Sequence, residues 1–117
     1  QNKRVKKLVK NKIFIKRTFG NNELKFSIKT NNKTNYFAKR FAAKEAFSKA
    51  LGSGIAKGLK FNEIEVLNNR MGKPSILLRG NSLKTTIKLL KKRKFNIYLS
   101  LSDDYPFATA TVILSTL

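Results

Sequence analysis

Six carboxylates, Glu23, Glu45, Glu63, Glu65, Asp103 and Asp104, are all the acids in this chain of 117 residues, against 26 lysines and arginines. There is no cysteine and no histidine. Thiolate nucleophiles, disulfides, zinc sites of the usual kind and the commonest general base are therefore excluded together. What remains is oxygen chemistry: a metal held here is a hard cation such as Mg2+, bound by carboxylate and phosphate oxygens. Glu45 is the acid best placed for it, flanked by Lys44 and Lys49 inside an alanine-rich stretch. On a buried helix such a carboxylate must be paired or must hold a cation, because an unpaired buried charge is costly. Two readings of Glu45 stay open on spacing alone: a metal ligand, or one half of an i,i+4 ion pair with Lys49 contributing about 0.2–0.5 kcal/mol.

Other groups carry weaker signals. Gly52-Ser53-Gly54 can cradle a phosphate with backbone amides, but it follows a helix, where the macrodipole disfavours anions. It also lacks the strand-before, helix-after setting of a P-loop, so a helix cap followed by a turn is the plainer reading. Lys73-Pro74 after Gly72 is turn chemistry, and Asp103-Asp104 reads as a turn former too. Glu63 and Glu65 alternate with Ile64 on a predicted strand, which points both to one face, expected to be solvent.

The elements that must position these groups are legible from periodicity. Residues 3–17 read as a basic helix with Val5, Leu8 and Val9 as its apolar stripe. Residues 36–51 form the strongest helix, alanine-rich and free of proline and glycine, with apolar groups nearly all round, so it is expected in the middle of the fold. The run Asn31, Asn32, Lys33, Asn35 before it reads as a polar loop. Residues 61–66 and 75–78 read as strands joined by a turn, 82–92 as a shorter helix, and 97–102 with 107–114 as a terminal hairpin. Helices and antiparallel strands in this order predict an α+β fold, a single domain over 1–117.

Composition narrows the class further. No apolar run approaches the ~20 residues needed to cross a bilayer, and the basic start is unlike a secretory signal. A cytoplasmic protein without a membrane partner is expected. The net charge of +20 attracts polyanions, which leaves nucleic acid, phosphate-rich cofactors and acidic proteins as partner classes. A small RNA- or DNA-binding protein of the ribosomal kind is the alternative that the charge favours, but the cations are spread along the chain and the longest motif is no stacking platform.

The stretch from Arg40 to Ile55, RFAAKEAFSKALGSGI, resembles the signature R-F-A-A-K-E-A-x-x-K-A-x-G-[ST]-G-I of holo-acyl-carrier-protein synthases, the small trimeric bacterial type of 4′-phosphopantetheinyl transferase. Three further segments are similar to the family's in the same order. These are Phe14–Arg17 with Glu23-Leu24, Ile64-Glu65-Val66 with Gly72-Lys73-Pro74, and Leu99–Asp103 with Val112-Ile113-Leu114.

The resemblance implies an antiparallel sheet packed on helices, a homotrimer, and coenzyme A bound between neighbouring subunits. It implies transfer of 4′-phosphopantetheine to a serine of an acyl carrier protein, in fatty acid biosynthesis and with Mg2+. A carrier-protein-binding subunit without activity is a further alternative. By resemblance Glu45 binds the metal and Lys49 lies near the pyrophosphate as acid for the leaving group. Arg40 and Lys44 hold coenzyme A phosphates, Gly52, Ser53 and Gly54 line the cofactor, and Lys73 and Pro74 sit on its adenine side. Ser102 and Asp103 end a strand beside the site, with Asp103 or a water as candidate base. Arg4, with Lys7, Lys10 and Lys12, matches the surface that docks the acidic carrier protein; no nucleic acid is expected. Two departures stand out. The family opens with a strand G-x-G-[TL]-D-I whose aspartate is a second metal ligand, and this N-terminal strand is missing from the sequence from Gln1 onward. Asp103 stands where many members carry histidine.

Overall fold

The computed structural model of the chain describes residues 11–52, 58–104 and 107–116. Asn11 caps a short helix, α1 (Lys12–Thr18), its side-chain oxygen accepting from the N–H of Ile13 (2.9 Å) and Phe14 (3.2 Å). These are donors that a helix start leaves unpaired. The expected basic helix over 3–17 is thus seen from Lys12 onward, and Arg4, Lys7 and Lys10 lie outside the described residues. Gly20 then leads into α2 (Asn21–Ser27).

The long helix α3 (Lys33–Leu51) begins at Lys33 rather than Tyr36. Asn32 accepts the Asn35 N–H at 3.0 Å, so the asparagine-rich run is a helix cap and first turn rather than a loop. Gly52 ends α3 at φ 83, its N–H reaching the Ser48 carbonyl at 3.0 Å, a left-handed cap that glycine adopts without steric penalty.

Beyond it, Phe61–Glu63 forms one 3-10 turn, followed by β1 (Ile64–Asn68) and its antiparallel partner β2 (Pro74–Leu78). The sequence predicts strand from Phe61, but those first three residues coil instead. Helix α4 (Gly80–Leu90) leads to the hairpin β3 (Asn96–Asp104) and β4 (Phe107–Ser115). The strands make two antiparallel two-stranded sheets, with Ile64 opposite Leu78 and Leu99 opposite Val112. Phe47, Leu59, Phe61, Ile64 and Leu78 form the buried centre, ringed by half-buried groups including Leu83 of α4, Ile97 of β3 and Val112 of β4. Helix α3 thus packs against both sheets, the α+β arrangement expected.

The strand alternation misassigns Glu63 and Glu65. Neither points freely to solvent. Glu65, 1% exposed, accepts from the N–H of Asn22 (2.8 Å) and Glu23 (3.3 Å) at the start of α2, and from Arg79 Nε (2.6 Å). Glu63 accepts from the N–H of Asn81 (3.2 Å) and Ser82 (3.0 Å) at the start of α4. Helix N-termini offer unpaired amides and positive potential, which draws both carboxylates inward.

Candidate active site

Along α3, Phe41, Glu45, Ser48 and Lys49 fall on one face, as the i, i+4, i+7, i+8 rhythm requires. That face walls a cleft of about 710 Å3, within the roughly 300–1,000 Å3 of cofactor-sized sites. Lys60 just before the 3-10 turn and Phe61 and Asn62 within it line another side, and Phe14 and Arg17 of α1 a third. Its floor is aromatic: Phe41 stands 5.9 Å from Phe14 and 5.8 Å from Phe61 between ring centroids. Asn62 Nδ2 reaches the Lys16 carbonyl at 3.5 Å, tying the turn to α1.

Glu45 is exposed in this cleft, not buried as the all-round apolar helix suggests. Among the described residues neither Glu45 nor Lys49 has an ion-pair partner, so the i,i+4 pair is not formed. Arg17, Lys49 and Lys60 set three cations around the single Glu45 carboxylate. A cleft with that balance and an apolar floor favours a polyanion that carries an uncharged arm.

Lys44 requires a correction. Expected to hold a coenzyme A phosphate, it is 0% exposed and already occupied. Its ammonium donates to Glu23 Oε1 (2.7 Å), to the Phe61 carbonyl (2.8 Å) and to the Ile64 carbonyl. Three acceptors use all three of its protons, and none is left for a solvent-borne phosphate. Glu23, also 0% exposed, accepts in turn from the N–H of Gly20 (2.9 Å) and Val66 (2.9 Å). Burial pushes the Glu23 carboxyl up, with Lys44 opposing, and pushes the Lys44 ammonium down, with Glu23 opposing. For Glu65 burial acts upward too, but hydrogen bonds from Arg79, Asn22 and Glu23 outweigh it and hold the carboxyl below its ordinary value. Glu63 is held down likewise, burial being outweighed by the Ser82 hydroxyl and the N–H groups of Ser82 and Asn81.

Two of the expected residues gather elsewhere. Arg40 and Pro74, together with Gly72 and Ser100, border a depression of about 300 Å3 between α3, the β1–β2 turn and β3. Arg40 is 8% exposed, its guanidinium 3.5 Å over the Tyr36 ring, with Nη1 donating to the Tyr36 carbonyl at 3.1 Å. Its Nε is buried with no hydrogen-bond partner among the described residues, and burial pushes the guanidinium pKa down. Asp103 lies near the start of α3, accepting from Asn35 Nδ2 at 2.7 Å and 3.6 Å from Lys39 Nζ. Ser102 and Lys73 are exposed nearby in sequence, and Lys12 is exposed at the start of α1. Within one chain, then, Glu45 and Lys49 share a cleft while Arg40, Pro74 and Asp103 lie away from it. Gly52 is a helix cap; Ser53 and Gly54 lie outside the described residues.

The model of the 4′-phosphopantetheinyl transferase superfamily matches residues 1–110. The chain belongs to that superfamily. A transferase-family relative, holo-[acyl-carrier-protein] synthase of Pelagibacter ubique, is 44% identical over 114 residues, 97% of this chain and 89% of that protein. Among solved structures, the holo-[acyl-carrier-protein] synthase of Neisseria meningitidis superposes with a TM-score of 0.82 at 32% identity, covering 99% of this chain and 91% of that one. The synthase of Bacillus anthracis, solved in complex with CoA (3′,5′-ADP), gives 0.81 at 32% identity over 100% of this chain and 90% of its own. The fold is therefore that of these transferases. The nucleic-acid-binding alternative gains nothing from such relatives.

Sequence reasoning for this transferase assigned no role to Phe14, Arg17 or Glu23, although all three stand in the family-like segment. Phe14 and Arg17 line the cleft and Glu23 anchors Lys44; the recurring segment was the available signal. As to a metal, no group of three or more acidic residues gathers among the described residues. Glu45, a carboxylate without an ion-pair partner among the described residues, still fits Mg2+, which commonly takes one or two carboxylates and leaves the rest to phosphate and water.

Proposed function

We propose that this chain transfers 4′-phosphopantetheine from coenzyme A to a serine of an apo-acyl carrier protein, releasing 3′,5′-ADP, as part of fatty acid biosynthesis. The observation that carries this reading is Glu45 beside Lys49, without protein partners among the described residues, over an aromatic-floored cleft. The family and its relatives, named as holo-[acyl-carrier-protein] synthases, supply the reaction class.

In this reaction the serine oxygen bonds to the β-phosphorus of coenzyme A as the bond to the bridging oxygen breaks. Phosphoryl transfer asks the protein chiefly for positioning and charge neutralisation. Lys49 neutralises the departing phosphate and gives it a proton, with Arg17 and Lys60 adding positive potential at the rim. Mg2+, held by Glu45, would neutralise pyrophosphate charge. Phe14, Phe41 and Phe61 offer the pantetheine arm an apolar bed.

The remaining residues belong to a site shared between copies. Arg40, a cation bordering the depression, suits a phosphate of coenzyme A, and Lys73 and Pro74 its adenine side. Asp103 or a water takes the serine proton, with Ser102 beside it. A homotrimer, in which one copy brings these groups to another's Glu45–Lys49 cleft, accounts for their separation within one chain. Gly52, Ser53 and Gly54 would border the bound cofactor. Arg4, Lys7, Lys10 and Lys12 dock the acidic carrier protein. Among the described residues no helix is long and apolar enough to cross a membrane, in keeping with a cytoplasmic enzyme that forms one domain over 1–117.

The test is mass spectrometry of an apo-carrier protein incubated with the chain and coenzyme A, with Mg2+ or with chelator. A gain of one phosphopantetheine in the Mg2+ sample alone is expected. No gain in either sample overturns the proposed activity; equal gain in both removes the metal from it.

A further inference from the structure

Lys44 and Glu45 are consecutive on α3, so whatever holds Lys44 also fixes the turn from which Glu45 projects into the cleft. The ammonium of Lys44 binds the carbonyls of Phe61 and Ile64, and Phe61 lines the wall facing Glu45. One buried cation therefore pins both walls of the cleft. Glu23 completes the clamp: its carboxylate meets Lys44 on α3, the N–H of Val66 on β1 and the N–H of Gly20 at the start of α2.

We infer that the buried Glu23–Lys44 pair positions the cleft, setting the gap between the Glu45 turn of α3 and the 3-10 turn that carries Phe61 and Asn62 and follows Lys60. This role rests on the cleft being the coenzyme A site. A pair retained only for stability is weakly favoured by physics, since buried ion pairs are often replaced by apolar groups at no loss. A pair that also ties two backbone carbonyls to a helix does something an apolar replacement does not do. Without it, the Ile64 carbonyl loses its ammonium donor, the Phe61 carbonyl keeps only the Ile64 N–H, and the 3-10 turn is held by one tie fewer. Coenzyme A must then order the wall itself, and that lowers its affinity.

The deciding variant is Glu23→Gln with Lys44→Met, which removes both charges and leaves no uncompensated ion; Lys44→Met alone strands Glu23 and can fail to fold. Folding of the double variant is verified by circular dichroism, coenzyme A binding is measured by calorimetry, and both Michaelis constants are measured by transfer assay. Partial unfolding lowers the amount of active protein but moves neither Michaelis constant. A displaced wall raises the coenzyme A dissociation and Michaelis constants about tenfold, with the carrier-protein constant unchanged. Coenzyme A affinity within about twofold of the unaltered chain, in a folded double variant, overturns the inference. Absence of coenzyme A binding by the unaltered chain overturns instead the assignment of the cleft.

Discussion

Two neighbouring charges on one helix meet opposite fates. The ammonium of Lys44 is sealed in the interior with a protein acceptor for each proton, whereas the carboxylate of Glu45 stands in an open cleft and makes no ion pair among the described residues. Along α3 consecutive side chains are turned by about 100°, enough to send one into the core and the next to the cleft. The difference separates two kinds of work. A group that holds the fold together has its bonding capacity filled by the fold, and a group that serves a ligand keeps its capacity open. By that criterion Lys44 is a frame element and Glu45 a ligand-facing one, although the sequence motif contains both.

Substitutions can break this contrast. The largest effect is expected from Lys44→Met alone, which leaves Glu23 buried and uncompensated and costs about 3–5 kcal/mol of stability, read from the urea midpoint. Next is Glu45→Gln, expected to lower transfer about 100-fold while the thermal midpoint stays within about 1 °C; a large drop in midpoint would place Glu45 in the frame with Lys44. Arg40→Gln sharpens the comparison from the other depression. It should raise the Michaelis constant for coenzyme A about tenfold and leave that for the carrier protein alone, and equal effects on both would remove Arg40 from the cofactor site.

The smallest effect concerns pH. Glu63 and Glu65 are held below their ordinary carboxyl values in the folded chain, so at mildly acid pH the unfolded chain binds more protons. Their contribution is fully present above the unfolded value of about 4.3 and is lost as pH falls through the lower folded values. Glu65→Gln should therefore flatten the loss of stability below about pH 4, measured by thermal melts across that range. An unchanged acid limb would mean that Glu65 is not held down by its helix amides and Arg79.

How much of this was legible beforehand depended on what kind of force placed each residue. Helix α3 was readable because alanine propensity and the Gly52 cap are local. Its first turn was missed because Asn32 acts through a side-chain hydrogen bond that an asparagine-rich run does not distinguish from a loop. Phe61–Glu63 alternates like a strand, yet the turn there is held by Lys44 on the Phe61 carbonyl and by Glu63 on α4. The burial of Lys44 and exposure of Glu45 were inverted for the same reason. Apolar groups surround α3, so periodicity names no outside face, and the partner that draws Lys44 inward, Glu23, belongs to a different helix. The motif spans both the buried ammonium and the carboxylate in the cleft; distant partners decided which of its charges lies open.

Three amide-bound acids, two buried and one half-buried, have a consequence for how this sequence can vary. Glu23, Glu63 and Glu65 each receive backbone N–H groups, so a neutral apolar residue there would orphan peptide donors as well as lose a charge. Exposed cations such as Lys84, Lys88 and Lys92 carry no such obligation. A chain built this way can gain or shed lysine across much of its exterior with little penalty, while these three glutamates are held in place by the peptide backbone itself.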